Sequence, residues 1–384
     1  MTKRNRITRV VQTIGLSLAL LLFAAFAQDS AFAADPPASK PTNQVAEIVL
    51  AETADASAEK ISAWKKEGFK GVAMVLDERS SPAVYQRTAK AISGKSLDVY
   101  YWIEVGRNPA LAESHPRWMA SLGMHQDWQE RFPNILPPVE GEVAKVFPWV
   151  SIGYQEAFDA HLERISQLLK RVPSNYRGLL LNDLQGGPSS CGCGNLQCRW
   201  AIDYHADATA TKIEGDDVAA KFIAALRQRV RSKIIIPVWT TECEAEDLPL
   251  KKRTNSFTTG FCGTVPCSHG LCPKDFARQW SALVKDSTDA VGLLSLHREF
   301  SRTHKEYGEG PAWIARSVDY VDKTLPQHGG AAYPHRKLWL VVQGATKEEE
   351  LAARRIAAQT GAGMVIVART KIDQSYEPRI ISVK

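Results

Sequence analysis

The segment YQEAFDAHLERISQLLKRVPSNYRGLLLND at residues 154–183 decides the fold, because a helix pattern and a strand pattern follow each other directly in it. Its first half repeats apolar residues at helical spacing from Phe158 to Leu169, which predicts an amphipathic helix. Its last residues form a continuous apolar run before Asp183, as is typical of a strand buried on both faces of a parallel sheet. The segment therefore predicts one unit of an α/β fold.

Runs of the same kind recur along the chain. Eight apolar runs have the length of buried strands and lie at residues 45–50, 71–76, 97–105, 178–183, 233–239, 291–296, 337–342 and 363–368. Segments with helical periodicity lie between them, at residues 57–68, 83–94, 154–172, 216–230, 273–285, 311–325 and 346–361. The last of these begins with a capping box, in which Thr346 is the N-cap and Glu349 is the third residue after it.

This alternation predicts a single (β/α)8 barrel of the TIM type over residues 45–384, with long loops after the third, fourth and fifth strands. An open, doubly wound sheet is the alternative. A dinucleotide-binding sheet of that kind needs a glycine-rich loop after its first strand, whereas LAETADAS stands there at residues 50–57. Residues 370–384, where an eighth helix is expected, have little helical pattern.

The first 33 residues have the pattern of a signal peptide. Basic residues precede an apolar run at residues 14–27, and the small residues AFA follow at 31–33. An uncleaved anchor is the alternative, but the run is short for a membrane span. Residues 34–44 are rich in proline and small residues, which predicts a flexible linker. We therefore expect a secreted or periplasmic protein without a membrane span after removal of the signal peptide.

Composition and charge exclude several classes of protein. Hydrophobic residues make up 44% of the chain, which is enough for a large core. The formal net charge is +6, and residues 1–33 carry half of it. The remainder is close to neutral for its length, which argues against a nucleic-acid partner. The sequence contains no G-x-S-x-G motif, so an esterase is not expected. The sequence does not determine the oligomeric state.

The cysteines fall in the segments after the fourth and fifth strands, which are neighbours in a barrel. We therefore expect them on one face of the molecule. In an exported protein the first expectation is disulfides between the two loops. A thiolate zinc site that also uses His205 or His269 is the alternative. No other cofactor is expected. Because the number of cysteines is odd, one thiol can remain free. The cysteines are Cys191, Cys193, Cys198, Cys243, Cys262, Cys267 and Cys272.

Polar residues end most of the predicted strands, and barrel enzymes carry their active sites at that end. Cleavage of a glycosidic bond needs two carboxylates. We predict Asp183, at the end of the fourth strand, as the first and Glu242, after the fifth strand, as its partner. Glu104 and Glu299 are the further candidates. For each of these side chains a structural role is the alternative, such as an ion pair in a loop.

Sugar binding needs aromatic faces and hydrogen-bonding groups beside these carboxylates. Trp102 and Trp239 lie near the ends of the third and fifth strands, where we predict that they stack on a sugar ring. His297, Arg298 and Glu299 follow the sixth strand. We expect this triplet to bind sugar hydroxyls or an acidic sugar group, and a polar layer without ligand is the alternative.

Residues 146–200, which begin VFPWVSIGYQEAF and end SSCGCGNLQCRW, resemble bacterial exported glycoside-hydrolase-like (β/α)8-barrel proteins. In those proteins a W-V pair and a long helix precede a hydrophobic strand that ends in Asp, and a C-x-C…C loop follows. The chain has Trp149, the helix, Asp183 and the cysteines of 191–198 in that order. The resemblance implies a carbohydrate ligand. Three functions stay open, namely a glycoside hydrolase, a non-catalytic periplasmic barrel that binds a glycan or a metal, and a thiol-redox or metal-handling protein.

Overall fold

The structure is a computed structural model that describes residues 45–121, 134, 136, 139–182, 184, 211, 213–215, 217–230, 233–240, 273–286, 289–295, 312–370, 372 and 377–382. Residues Val45–Lys384 form one compact unit. Within the described part of the chain, no helix is both long enough and apolar enough to cross a membrane.

The eight strands of the barrel follow the eight predicted apolar runs closely, and three further strands do not correspond to any of them. The strands are β1 (Ala46–Ala51), β2 (Gly71–Val75), β3 (Asp98–Glu104), β4 (Met119–Ser121), β5 (Glu142–Val150), β6 (Gly178–Asn182), β7 (Ile234–Thr240), β8 (Val291–Leu294), β9 (Leu338–Val342), β10 (Met364–Ala368) and β11 (Glu377–Ser382). Eight of them pair in parallel and close into a barrel in the order β1, β2, β3, β6, β7, β8, β9 and β10. This closure confirms the prediction of a single (β/α)8 barrel.

The helices lie between the barrel strands. They are α1 (Ala58–Lys66), α2 (Pro82–Ser93), α3 (Pro109–Ser114), α4 (Gln155–Leu169), α5 (Val218–Arg229), α6 (Pro273–Asp286), α7 (Ala312–Asp319) and α8 (Lys347–Gln359). All but the short α3 coincide with predicted helices. The predicted cap of α8 is also confirmed, because Thr346 Oγ1 accepts a hydrogen bond from the Glu349 amide at 3.2 Å.

Strand alternation divides the core into two layers. Tyr100 and Trp102 of β3, together with residues such as Ile236 and Val341, fill the inside of the barrel. Their immediate neighbours, such as Tyr101, point outward and pack against the helices. Because side chains along a strand alternate between its two faces, every second residue at a strand end continues into the barrel and the others face the helix layer.

The barrel requires close contact between β6 and β7 at Gly178. A Cβ atom on Gly178 would lie 2.3 Å from Ile234 Cγ1 and 2.8 Å from the Ile234 carbonyl oxygen. The absence of a side chain on Gly178 lets the two strands approach each other where β6 begins. At its other end β6 carries Asn182, which belongs to the candidate site.

A second, antiparallel sheet of β11, β5 and β4 was not anticipated. Its strand β11 occupies residues 377–382, in the segment where an eighth helix was expected, and pairs with β5 along its length. The Val150 amide donates to the Gly106 carbonyl at 2.8 Å, and the Asn108 amide donates to the Pro148 carbonyl at 3.0 Å. The long segment after β3 is therefore not a plain loop, since β5 is held against the chain that leaves the barrel.

Candidate functional site

Glu104 is a fixed carboxylate at the barrel mouth, by which we mean the end of the barrel where the strands have their carboxyl ends. It ends β3 and lies two residues beyond Trp102, so its side chain continues the inward row. Its Oε1 accepts a hydrogen bond from Trp102 Nε1 at 2.6 Å, and its Oε2 accepts one from Asn182 Nδ2 at 2.8 Å. The two donors hold the carboxylate in one orientation.

Asn182 owes its position to the register between β3 and β6. The two strands pair so that Asn182 lies opposite Glu104. Asn182 is 3% exposed, and Leu180, two residues before it, lies inside the barrel. Sequence reasoning passed over Asn182 in favour of Asp183, although counting in steps of two from the apolar positions of β6 would have placed Asn182 on the inner face.

Arg164 of α4 supports the same strand end from outside the barrel. One of its guanidinium nitrogens donates to the Glu104 carbonyl oxygen at 2.7 Å. Its Nε and other terminal nitrogen bind the two carboxylate oxygens of Glu78 at 2.8 and 3.1 Å. Burial by itself would raise the pKa of Glu78, but the hydrogen bonds and charge of Arg164 bring that pKa below its ordinary value. The helix thus fixes the backbone that carries Glu104.

A chain of polar contacts lines the mouth on the side of β1 and β2. Arg79 binds Glu52 Oε2 at 2.9 Å and Asp77 Oδ2 at 2.5 Å. The hydrogen bond to Asp77 is the main reason why the pKa of Arg79 is raised. Thr370 Oγ1 donates to Glu52 Oε1 at 3.1 Å, which extends the chain to the segment that follows β10.

Gln343 directly follows β9 and continues its inward row beyond Val341. Its Nε2 donates to the Thr370 carbonyl oxygen at 2.9 Å. The side chain is 3% exposed, and its Oε1 has no hydrogen-bond partner among the residues that the structure describes. Gln343 is therefore a buried amide at the barrel mouth. Its N–H₂ group has a hydrogen-bond partner, and its oxygen has none among the described residues.

The burial of the two predicted tryptophans corrects their assignment as sugar-stacking residues. Trp102 is 1% exposed inside the barrel, where its indole N–H serves Glu104. Trp239 is 0% exposed and lies on the other side of its strand, in the core between barrel and helices. Neither indole face is open to a ligand, because strand parity and the close-packed layers place both rings within the core.

The other predicted site residues lie outside the described residues. They are Asp183, Glu242, His297, Arg298, Glu299 and the seven cysteines Cys191, Cys193, Cys198, Cys243, Cys262, Cys267 and Cys272. The predicted pairing of Asp183 with Glu242 and the choice between disulfides and zinc stay predictions. Among the residues that are described, no cluster of three His, Cys, Asp or Glu side chains is arranged to hold a metal ion.

Two basic side chains near β5 are buried. Burial lowers the pKa of Lys145 to about 7. Burial also lowers the pKa of His161 to about 4, although its Nε2 lies 3.0 Å from the Val150 carbonyl oxygen. Because a carbonyl oxygen only accepts hydrogen bonds, Nε2 carries the proton of the neutral ring. The contact of His161 joins α4 to the end of β5, and we assign this residue to the framework of the molecule.

Comparison with known proteins identifies no family. No protein-family model matches the sequence, and no curated protein matches it. Solved structures with a similar fold include the GH36 α-galactosidase AgaB from Geobacillus stearothermophilus, at 11% identity and a TM-score of 0.38 over 86% of this chain. The chain covers 39% of that enzyme, about two fifths of its length.

Two further structures illustrate the breadth of this similarity. One is a β-glucosidase, at 9% identity and a TM-score of 0.41, with 82% of this chain and 76% of that chain covered. The other is an HpcH/HpaI aldolase from Desulfitobacterium hafniense, at 10% identity and a TM-score of 0.32, with 85% and 86% covered. A fold of this kind can host unrelated functions, so the function has to be argued from the site.

Proposed function

We propose that the chain is an exported barrel protein that binds a carbohydrate at the barrel mouth and that Glu104 is a ligand-contacting carboxylate of that site. The observation that carries the proposal is the fixed geometry of Glu104, which accepts hydrogen bonds from Trp102 and Asn182. Its position supports the proposal as well, because function in barrels of this type gathers at the carboxyl ends of the strands.

The chemistry of a carboxylate held in this way suits a polyhydroxylated ligand. An ionised carboxylate has about four positions for accepting hydrogen bonds. Two of them are used within the protein. The others can accept hydrogen bonds from sugar hydroxyl groups, and an acceptor that is already oriented loses little conformational entropy when the ligand binds.

Hydrolysis is the finer part of the proposal and requires a second carboxylate. In glycosidases the two carboxyl groups lie about 5–5.5 Å apart for retention, or about 6.5–9.5 Å apart for inversion. Asp183, which follows Asn182 directly, and Glu242 are the residues that we propose for this role. If neither approaches Glu104, the protein binds its carbohydrate without cleaving it.

The test is a Glu104→Gln substitution, which preserves size and replaces one acceptor oxygen by an N–H₂ group. We expect the variant to bind its sugar about tenfold or more weakly, because hydrogen bonds to a charged group are among the stronger ones. If the wild type cleaves glycosides, we expect cleavage to fall by about 100-fold or more. Binding is measured on a glycan array and by calorimetry, and cleavage with p-nitrophenyl glycosides of the common pyranoses.

Glu163→Gln is the matched control, since the Glu163 side chain is 59% exposed on the outside of α4. It should behave like the wild type. A wild-type protein that binds no member of the glycan set contradicts the proposed function. A Glu104→Gln variant that binds as tightly as the control contradicts the role of Glu104.

Export and cross-linking of the cysteine loops belong to the same proposal. The signal-peptide pattern of residues 1–33 supports export. An oxidising compartment in turn favours disulfides between the segments 191–198 and 243–272 over a zinc site. We propose that such cross-links hold the loops that follow β6 and β7.

A further inference from the structure

Gln343 lies on a stiff segment rather than on a free loop. The next residue, Gly344, packs so closely on α8 that a Cβ atom there would lie 2.2 Å from the Glu350 amide nitrogen. The Ala345 amide donates to Glu349 Oε2 at 2.6 Å, and Thr346 caps the helix. Residues 344–346 therefore carry Gln343 at a set position relative to β9 and α8.

The amide group of Gln343 is itself oriented. Its Nε2 donates to the Thr370 carbonyl oxygen at 2.9 Å, and this contact directs Oε1 away from that carbonyl. Thr370 in turn donates to Glu52, whose other carboxylate oxygen accepts from Arg79. Gln343 is thus the last residue in the series of polar contacts along the β1 and β2 side of the mouth. Its Oε1 atom has no hydrogen-bond partner among the described residues.

The Oε1 atom of Gln343 is a buried acceptor without a donor among the described residues. Leaving a buried carbonyl oxygen without a hydrogen bond is unfavourable, and native proteins rarely retain such a group without a reason. The contact with the Thr370 carbonyl oxygen explains the amide nitrogen of Gln343, but it leaves Oε1 without a donor among the described residues. The neighbouring inward positions of β9 are the apolar Trp339 and Val341, so they offer Oε1 no side-chain donor except the indole N–H of Trp339.

We propose that Gln343 Oε1 is a binding contact at the barrel mouth and accepts a hydrogen bond from one hydroxyl group of a bound sugar. The inference rests on the proposed carbohydrate function and names a residue that directly follows β9, a strand that does not adjoin β3 in the barrel. The ligand would then meet an oriented carboxylate at Glu104 and an oriented neutral acceptor at Gln343. Both groups accept hydrogen bonds, as hydroxyl-rich ligands require.

A buried water molecule could satisfy the same oxygen, and the experiment has to separate this from a ligand contact. We therefore pair the substitution Gln343→Met with a series of monodeoxy sugars. The substitution keeps the length of the side chain but removes both the acceptor Oε1 and the donor Nε2 that binds the Thr370 carbonyl oxygen. The sugar series separates the two losses, because only the loss of a ligand contact depends on which hydroxyl group is missing. The series is made from whichever pyranose among glucose, galactose, mannose and N-acetylglucosamine binds the wild type most tightly. Dissociation constants are measured by calorimetry.

We expect Gln343→Met to weaken binding of the parent sugar by about five- to tenfold, the loss of one neutral hydrogen bond. One monodeoxy sugar should bind wild type and variant equally, because it lacks the hydroxyl that Gln343 contacts. The other deoxy sugars should show the same loss as the parent. Gln359→Met, at an exposed position near the end of α8, is the matched control and should bind like the wild type.

The outcomes are distinct. A variant that binds the parent sugar as tightly as the wild type shows that the oxygen holds only water and overturns this inference alone. Equal weakening for every sugar in the series also overturns it, since that result means a general disturbance of the mouth. Wild-type protein that binds none of the four sugars overturns the proposed function and this inference with it.

Discussion

Buried polar side chains around the barrel differ in how fully their hydrogen bonds are satisfied. Asn182 reaches Glu104, whereas Gln343 and His161 each have one polar atom without a partner among the described residues. At Gln343 the open atom lies at the end of a strand, where a ligand can supply the donor. At His161 the unpaired atom lies within the framework of the molecule. Burial of this ring makes the stability of the protein depend on pH.

The free energy of unfolding should decrease in acid because of His161. Its pKa is about 4 in the folded protein, below the ordinary 6.5, because burial disfavours the charged ring. The unfolded chain therefore takes up the proton first as the pH falls, and stability is lost between about pH 6.5 and pH 4. At pH 5 this amounts to about 2 kcal/mol, measured by urea unfolding at pH 7 and pH 5.

The comparison is with His161→Gln, since a glutamine amide can donate to the Val150 carbonyl oxygen as Nε2 does and does not titrate. We expect the stability of this variant to change less between pH 7 and pH 5 than that of the wild type. An equal change in both proteins would mean that other groups cause the loss of stability in acid.

Side chains of two helices hold the ends of barrel strands in place through hydrogen bonds. On α4, Arg164 holds the end of β3 and the segment after β2 through three hydrogen bonds. On α8, Glu350 accepts from Arg369, which follows β10, at 2.8 and 3.0 Å. The Arg369 side chain thus contacts the helix layer outside the barrel.

Glu350 joins two arginines and should be the critical member of its network. Arg369 also binds Glu67 at the end of α1, and Arg354 binds Glu47 of β1. We expect Glu350→Gln to lower the free energy of unfolding by about 2 kcal/mol, because it leaves two neighbouring guanidinium groups without the carboxylate between them. The effect is smaller than for a fully buried pair, since the network is partly exposed.

Glu348→Gln provides the control for this element, because Glu348 is exposed in the first turn of the same helix. Its denaturant midpoint should stay close to that of the wild type. Equal midpoints for the Glu350 and Glu348 variants would show that the network does not fasten α8 to the barrel.

At the scale of the whole molecule, β6 and β7 are paired neighbours in the barrel, so the segments that follow them leave from adjacent strand ends. We therefore expect mass spectrometry of unreduced protein from the periplasm to show a mature chain that begins near Ala34. The same spectra should contain peptides that link the segments 191–198 and 243–272. A reduced and alkylated sample is the control. Bound zinc without such links would favour the thiolate site, and seven alkylatable thiols without metal would contradict both readings.

The barrel could be predicted because its evidence is local. Each buried strand is a short, continuous apolar run, and each helix repeats apolar residues at its own period, so a window of a few residues contains the signal. The antiparallel sheet could not be predicted in this way. Strand β11 contains Pro378 and Arg379 and is a strand because its backbone pairs with β5, more than 200 positions earlier in the chain.

The sequence by itself determined the order of strands and helices, the cap of α8 and the presence of Glu104 at a strand end. The tertiary structure decided which strand-end residues meet. It turned Trp102 toward Glu104 and Trp239 toward the helices, and it placed Asn182 opposite Glu104. The physical reason is that composition and periodicity fix each element locally, whereas contacts across the barrel depend on the register and parity of strands that are distant in sequence.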